Sequence, residues 1–221
     1  MEKRWGELVG QPRTSEEVQE TLLLAKKIEL ERAKEYQGLI DELADIGIKI
    51  NSIWDLVNTK RKYLAAIPVL MKYLPLVSYI RNKEGIVRAL TVPEAKGLVV
   101  PLLVKEYLQL SNDKENLKWV IGNAVNVTIT KSEVADIFPI VLNKENGISR
   151  QMFVAALGKV KSEKAEDVLI KLLDDEEVTP QALEALGRMK SAKSKEKIAT
   201  LISHPKPLIK KEAQKALKKL S

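Results

Sequence analysis

The chain of 221 residues contains no cysteine and only one histidine, His204. The lack of cysteine excludes disulfides, a cysteine nucleophile, thiolate zinc ligands and iron–sulfur clusters. A single histidine also excludes metal sites that are built from several histidines. Aromatic residues make up only 5% of the sequence, which leaves few rings to stack on nucleic-acid bases.

Long apolar runs are absent as well. The apolar stretches at 65–71, 97–104 and 119–130 are all shorter than the roughly 18 residues that a membrane-spanning helix needs. No apolar segment of a signal peptide follows residues 1–7. We therefore expect no membrane contact and a cytoplasmic location. With 45% hydrophobic and 30% charged residues, the composition is typical of a folded protein with a buried core.

Signals of catalysis are equally sparse. The glycine-rich patterns that cradle nucleotide phosphates, GxGxxG and GxxxxGK, do not occur. His204 lies in a proline-containing turn at 203–207, and we interpret it as a solvated turn residue rather than a catalytic one. The acidic run at 174–177 lacks the spacing and the glycine of a calcium loop, and we interpret it as a polar loop tip. The sequence predicts no enzyme activity, no catalytic residue, no metal site and no cofactor.

The charge of the chain is unevenly distributed. The formal net charge is +7, but residues 188–221 hold eleven basic and two acidic residues, so the first 187 residues are slightly negative. The basic segment can attract nucleic acid or an acidic partner, or it can be a solvated face that keeps the end of a repeat array soluble. The basic patch that we single out consists of Lys206, Lys210, Lys211, Lys215, Lys218 and Lys219.

The second half of the sequence is repetitive. Five segments of six residues align without gaps, and each has an alanine at its fifth position. An aliphatic residue follows each alanine, and a further apolar residue stands three positions before it. Because positions i, i+3 and i+4 share one face of a helix, each segment predicts a helix with an apolar stripe that a neighbouring helix can approach closely. The aligned alanines are Ala89, Ala124, Ala156, Ala185 and Ala216.

A further apolar run precedes each aligned segment, so each unit predicts two helices. One pair of helices can bury its apolar face only by stacking on the next pair. Capping boxes at 14–17 and 130–133 indicate helix starts, as do Pro180 and Pro207 at predicted first helical positions. Three other prolines fall inside apolar runs and are expected to kink their helices. They are Pro68, Pro101 and Pro139.

The helix pairs resemble HEAT-like repeats, in particular the short class that also occurs in phycobilisome lyases. The second helix of such a repeat commonly has a basic residue eight positions before a glycine, as Arg150 and Gly158 do here. The resemblance covers roughly 63–221 and implies an all-α fold, a right-handed α-solenoid (α-α superhelix) of about five HEAT-like helix pairs. Parts of the segment 52–90 also resemble an uncharacterised bacterial group of HEAT-repeat proteins, which implies no particular activity. The matches to Arg150 in the other pairs are Lys83, Lys118, Thr179 and Lys210, and the glycine recurs only as Gly187.

The N-terminal section, 1–62, is expected to form a helical cap on a single repeat domain at 63–221. Residues 15–46 predict a long helix that an interruption at 36–38 can divide, with a stop at Gly47. Asn51 or Ser52 is expected to cap a short helix. This section either covers the open end of the stack or forms a partner-binding or dimerising helix.

Polar and aromatic side chains form rows on the second helices, which line the concave surface of a HEAT-type stack. A groove of this composition is suited to a peptide or a small polar ligand. The alternative interpretation is that the tryptophans pack in the core and the charged residues pair with each other. The predicted partner-binding residues are Trp54, Asp55, Asn58, Arg81, Glu84, Arg88, Trp119, Asn123 and Asn126.

Three functions remain open from the sequence. The leading prediction is a non-enzymatic scaffold that binds a protein or peptide on its concave face. Nucleic-acid binding through the basic C-terminal helices, as in HEAT-type DNA glycosylases, is favoured by the lysines and disfavoured by the slightly negative remainder of the chain. A lyase-type enzyme rests on the resemblance of fold alone.

Overall fold

A computed structural model of the chain describes residues 14–220, which contain twelve α-helices and no strand. Residues 1–7, on which the expectation about a signal peptide rests, lie outside this range. Short 3₁₀ turns precede or follow several helices. The helices are α1 Ser15–Asp45, α2 Ile53–Asn58, α3 Ala66–Tyr73, α4 Ile80–Ala89, α5 Val100–Gln109, α6 Glu115–Thr128, α7 Phe138–Leu142, α8 Gln151–Val160, α9 Glu163–Leu172, α10 Thr179–Met189, α11 Lys195–Thr200 and α12 Pro207–Leu220.

The chain divides into two compact units, Met1–Ile86 and Val87–Ser221, which we call the N-terminal and C-terminal units. This division falls within α4, whereas the sequence places a boundary between 62 and 63; that domain boundary stays a prediction. No helix in the part that the structure describes is long and apolar enough to cross a membrane.

The long first helix of the N-terminal unit starts as predicted. Thr14 and Glu17 form a complete capping box, and Gly47 ends the segment with a φ of 83°. The predicted interruption at 36–38 is wrong, because α1 continues through it. A Cβ on residue 38 would lie 3.0 Å from the hydroxyl oxygen of Tyr73, so the glycine makes room for a side chain of α3 instead of breaking the helix.

The short helix α2 also starts as predicted. The Ser52 side chain accepts a hydrogen bond from the amide of Trp54, and the Asp55 carboxylate accepts one from the amide of Ser52. The helix packs closely on α4, since a Cβ on Gly85 would lie 2.6 Å from a methyl carbon of Ile53.

A carboxylate of α1 caps the N-terminal end of α4. Glu35 accepts hydrogen bonds from the amides of Ser78 at 2.5 Å and Tyr79 at 3.1 Å and from the side-chain amide of Asn82 at 2.7 Å. Burial alone would raise the pKa of Glu35, but these hydrogen bonds outweigh it and hold the pKa below its usual value. Amides at a helix start have no acceptor within the helix, so Glu35 satisfies groups that α4 leaves open.

The C-terminal unit confirms the aligned alanines. All five are at most 2% exposed, and the apolar residues three positions before them are buried as well. In the described part of this unit α5 to α12 alternate as first and second helices, and the second helices α6, α8, α10 and α12 pack on one another in order. The predicted all-α repeat fold of stacked helix pairs is therefore confirmed.

Two glycines set the distance between successive second helices. A Cβ on Gly158 would lie 2.6 Å from the Cα of Ala185, and a Cβ on Gly187 would lie 3.1 Å from the Cα of Ala216. The side of each helix that carries the glycine therefore meets the alanine of the next helix. A side chain in place of either glycine has no room at these points.

The prediction that three prolines kink their helices is wrong. Pro101 and Pro139 stand at the second position of α5 and α7, and Pro68 is the third residue of α3. Amides in the first turn have no carbonyl partner within the helix, so proline removes no hydrogen bond there. Pro207 begins α12 as predicted, and Pro180 is the second residue of α10.

The second predicted capping box forms only in part. The Thr130 amide donates to the Glu133 carboxylate at 2.8 Å. The element that follows is a 3₁₀-helix, Val134–Ile137, rather than an α-helix.

Arg150 is the largest fully buried side chain and joins two helix pairs. Its guanidinium donates to Asp175 and Glu177, both at 2.8 Å, and to the carbonyl oxygens of Val141 and Gly147. Burial alone would raise the pKa of Asp175, but the hydrogen bond and charge of Arg150 outweigh it and lower that pKa. A buried charge needs such a complete set of partners.

The remaining carboxylates of the acidic run are paired too. Asp174 contacts Lys197 at 2.6 Å, and Glu176 contacts Lys206 at 2.6 Å and His204 at 3.3 Å. The His204 ring also accepts a hydrogen bond from the amide of Lys206. The run at 174–177 therefore ties neighbouring helix pairs together, and His204 is half-buried at this junction rather than solvated.

Candidate functional site

One side of the second helices in the C-terminal unit stays free of first helices. Relative to the aligned alanine, this side comprises the positions five before, one before and three after it, which follow one another at i, i+4 and i+8 along a helix. All twelve side chains are exposed or half-buried. This second-helix face consists of Trp119, Asn123 and Val127 on α6, Gln151, Ala155 and Lys159 on α8, Pro180, Glu184 and Arg188 on α10, and Lys211, Lys215 and Lys219 on α12.

Two of the three α6 residues of this face are predicted site residues. Trp119 is 45% exposed, which contradicts the interpretation that it packs in the core. Asn123 lies one turn further along the same side and is half-buried. A large exposed ring beside an amide is typical of protein-binding surfaces.

Asn126, the third predicted residue on α6, lies at the edge of the face. Its backbone carbonyl accepts a hydrogen bond from the ammonium group of Lys159 at 2.6 Å. Its side-chain oxygen is buried and accepts no hydrogen bond from any residue in 14–220. A buried acceptor without a donor destabilises a fold by about 1–3 kcal/mol.

A groove of about 360 Å³ lies on the face between α10 and α12. The side-chain oxygen of Gln181 in its lining is also buried and receives no hydrogen bond within the described residues. Apolar, acidic and basic side chains therefore line this groove, and the lining includes a second buried oxygen that receives no hydrogen bond. The lining residues are Pro180, Gln181, Glu184, Leu208, Glu212, Lys215 and Lys219.

The structure divides the predicted basic patch. Lys211, Lys215 and Lys219 belong to the second-helix face, with Lys215 paired to Glu212 at 2.7 Å. Lys206 precedes α12 and pairs with Glu176. Lys218 stands three positions after Lys215 and seven after Lys211, so it shares their side of α12. Lys210 is exposed on another side of the helix. Four of the six lysines therefore lie on one side of α12, and Lys206 and Lys210 lie apart from them.

In the N-terminal unit the predicted residues make separate contacts. The Arg81 guanidinium stacks over the Trp54 ring at 4.4 Å, so this tryptophan is half-buried under a cation. The Asp55 carboxylate is engaged by its capping box and also borders a second groove of about 350 Å³. Asn58 is exposed at the end of α2, and Glu84 is half-buried on α4.

Arg88 lies in the last turn of α4 and belongs to the C-terminal unit. Its side chain is half-buried. The packed series of second helices described above begins with α6, and the candidate site is therefore defined from α6 to α12.

Sequence reasoning missed Lys159, Arg188 and Gln181. Lys159 and Arg188 occupy the same column of the repeat, directly after the glycines Gly158 and Gly187. The same column holds Lys219 on α12, so the recurrence of a basic residue at this position could have been recognised in the sequence. Burial and the nearby charges of Arg188 and Lys96 lower the pKa of Lys159, which shows that cations crowd this edge of the face.

The described residues offer no group of three or more histidine, aspartate or glutamate side chains that could hold a metal ion.

Comparisons with known proteins support the repeat architecture. Residues 134–218 match the family model of HEAT repeats, and this segment spans α7 to α12. The predicted resemblance to HEAT repeats is thus confirmed over that range. The chain is also similar to a designed armadillo repeat protein, with 18% identity, 99% coverage of each chain and a TM-score of 0.46, values too low to support conclusions about function. No curated protein matches the chain.

Proposed function

We propose that the protein is a non-enzymatic scaffold that binds a peptide or an extended protein segment on its second-helix face. The supporting fold is a repeat array in which each second helix contributes the same three positions to one continuous side. Such an array offers a rigid surface that spans several helices.

One observation carries the proposal. The face combines an exposed tryptophan, Trp119 on α6, with a groove between α10 and α12 that apolar and charged side chains line. A peptide laid across the helices can therefore cover the indole ring and fill the groove.

A selection from a random peptide library displayed on phage tests the proposal. Binding of the enriched peptides is then measured by calorimetry with the unmodified protein and with the double variant Trp119→Ala, Asn123→Ala. We expect the double variant to lose at least about 2 kcal/mol of binding free energy, since buried tryptophans dominate such interfaces.

The matched control is the double variant Leu108→Ala, Gln109→Ala. It removes an exposed apolar side chain and an amide from α5, a first helix, and should leave binding unchanged. If the peptides lose affinity for the α5 double variant but not for the α6 double variant, the binding site lies elsewhere.

Nucleic-acid binding is the second candidate, supported by the exposed lysines of α12. It is weaker because Lys206 and Lys215 are paired with carboxylates and because Lys206 and Lys210 lie apart from the other four lysines. Binding through phosphates should fall steeply with salt. Binding of single-stranded DNA that disappears with salt and with Lys211→Gln would favour this candidate.

The finer assignments remain predictions. They are the lyase-type repeat class, the bacterial HEAT-repeat group, the cytoplasmic location and the concave shape of the binding face.

A further inference from the structure

Three basic residues occupy one column of the second-helix face. Lys159, Arg188 and Lys219 each stand three positions after the aligned alanine, on α8, α10 and α12. We call them the cation row. All three residues are exposed, and each cation has further N–H donors besides the contacts described below.

Two side chains of the row, those of Lys159 and Lys219, reach toward the preceding second helix. Lys159 reaches back to the carbonyl oxygen of Asn126 on α6. Lys219 reaches back to α10, where its Cδ atom would lie 3.4 Å from a Cβ on Gly187. The charges of Arg188 and Lys159 act on each other. Successive cations are therefore neighbours across adjacent helices.

The close packing of the helices sets the spacing of the row. Gly158 and Gly187 bring α8, α10 and α12 into backbone contact, and closely packed helices have axes about 8–10 Å apart. A polyproline II helix has three residues per turn and rises about 3.1 Å per residue, so every third side chain recurs after about 9 Å on one edge. A β-strand repeats one face after two residues, or about 7 Å, and fits the row less well.

Arg188 already contacts a carboxylate, that of Glu184, through one nitrogen at 2.5 Å. Both side chains are well exposed, and such surface pairs are weak. A guanidinium has five N–H donors, so Arg188 can bind a second carboxylate while it keeps this contact.

Building on the peptide binding proposed above, we propose that the cation row binds a peptide segment in polyproline II conformation that carries an acidic residue at every third position. The carboxylates pair with Lys159, Arg188 and Lys219. The backbone of a polyproline II segment makes no internal hydrogen bonds, so its N–H and C=O groups are free to bind polar side chains of the second-helix face.

The test uses a fluorescein-labelled peptide of four Glu-Pro-Ala repeats, followed by fluorescence anisotropy with the full chain. A shuffled peptide of the same composition, with its four glutamates adjacent, serves as the comparison. We expect the periodic peptide to bind about tenfold more tightly, because three weak ion pairs form together only when the spacing matches.

The triple variant Lys159→Gln, Arg188→Gln, Lys219→Gln should remove this difference. The control triple variant Lys131→Gln, Lys164→Gln, Lys195→Gln removes the same charge from exposed positions outside the second-helix face and should keep it. Circular dichroism melts of both variants show whether each one is folded.

Equal binding of the periodic and shuffled peptides would overturn the inference, and so would an equal effect of the two triple variants. A twelve-nucleotide thymidine strand that competes as strongly and also depends on the cation row would assign the row to nucleic acid instead. If the periodic peptide fails while library peptides still depend on Trp119 and Asn123, only the inference about acidic spacing is wrong. If neither binds, the proposed function fails as well.

Discussion

Gly158 lies directly against Ala185, so that a Cβ on residue 158 would stand 2.6 Å from the Cα of Ala185. The contact joins the backbones of α8 and α10 and cannot yield by a side-chain rotation. It explains why this position of the second helix excludes any side chain, and it fixes the spacing on which the second-helix face depends.

The variant Gly158→Ala should therefore destabilise the C-terminal unit. Alanine favours a helix over glycine by about 1 kcal/mol, but forced overpacking commonly destabilises by about 1–3 kcal/mol, and here backbone atoms must separate. We expect a net loss in the free energy of unfolding measured with urea. Gly38→Ala is the control, because its only close neighbour is the end of the Tyr73 side chain; it should be neutral or slightly stabilising. An unchanged unfolding midpoint for Gly158→Ala would contradict the close packing.

Arg150 should be the most sensitive charged residue of the chain. The variant Arg150→Ala leaves Asp175 and two carbonyl groups without their donor, and breaking a buried ion pair destabilises by about 3–5 kcal/mol. The control Lys193→Ala removes an exposed pair with Asp167 and should change stability by less than about 1 kcal/mol. Thermal and urea unfolding measure both. A similar small loss for both variants would show that the Arg150 network adds little.

The cap that Glu35 forms on α4 should show in hydrogen exchange and in acid. In Glu35→Ala the amides of Ser78 and Tyr79 lose their acceptor and should exchange faster. The control Glu31→Ala removes a half-buried carboxylate of the same helix that pairs with Lys34, and it should leave the exchange of both amides unchanged. The folded-state pKa of Glu35 is lowered, so its contribution to stability is complete above its ordinary pKa of about 4.3. This contribution is lost as the pH falls through the lowered value.

As the pH is lowered from 5 into the acid range, the free energy of unfolding of the unmodified protein should therefore fall more than that of Glu35→Ala. Urea unfolding of both proteins, measured at intervals of about one pH unit, tests this. Identical acid profiles for the two proteins would contradict the lowered pKa.

Ligand binding should cover Trp119. The chain has three tryptophans, so Trp119 is the one tryptophan that remains in a variant with Trp5→Phe and Trp54→Phe. Saturation with a library-selected peptide should shift its emission to shorter wavelength and reduce quenching by iodide, because the ring is 45% exposed without ligand. An unchanged spectrum at saturation would mean that the peptide binds away from α6.

Much of the repeat could be predicted because its signals are local. The buried alanines and the caps at Thr14 and Ser52 depend on residues within one turn of each other, and periodicity reveals such relations directly. The error about Pro101 and Pro139 came from treating the apolar runs around them as helix interiors, whereas the helices begin only one residue before each proline. Boundaries of this kind are the least reliable part of a sequence reading.

The long-range partners could not be predicted in this way. Arg150 meets carboxylates 25 and 27 residues away, and Glu35 meets groups more than 40 residues away. Nothing in the local sequence indicates which acidic residue will pair with a cation. The exposure of Trp119 likewise depends on which side of α6 the first helices leave uncovered. The residues of the cation row, in contrast, could be recognised in the aligned columns of the sequence. The distance between them follows only from the packing of α8, α10 and α12.

The most direct test of peptide binding on the second-helix face is site-specific photo-crosslinking. The crosslinker p-benzoylphenylalanine replaces either Lys211 on α12 or Lys164 on α9, two exposed lysines of the same unit, and a library-selected peptide is irradiated with each protein. Crosslinking from position 211 and none from position 164, as read by mass spectrometry, is the predicted result. Crosslinking from position 164 alone would show that the peptide lies on the first helices and would contradict the proposed binding face.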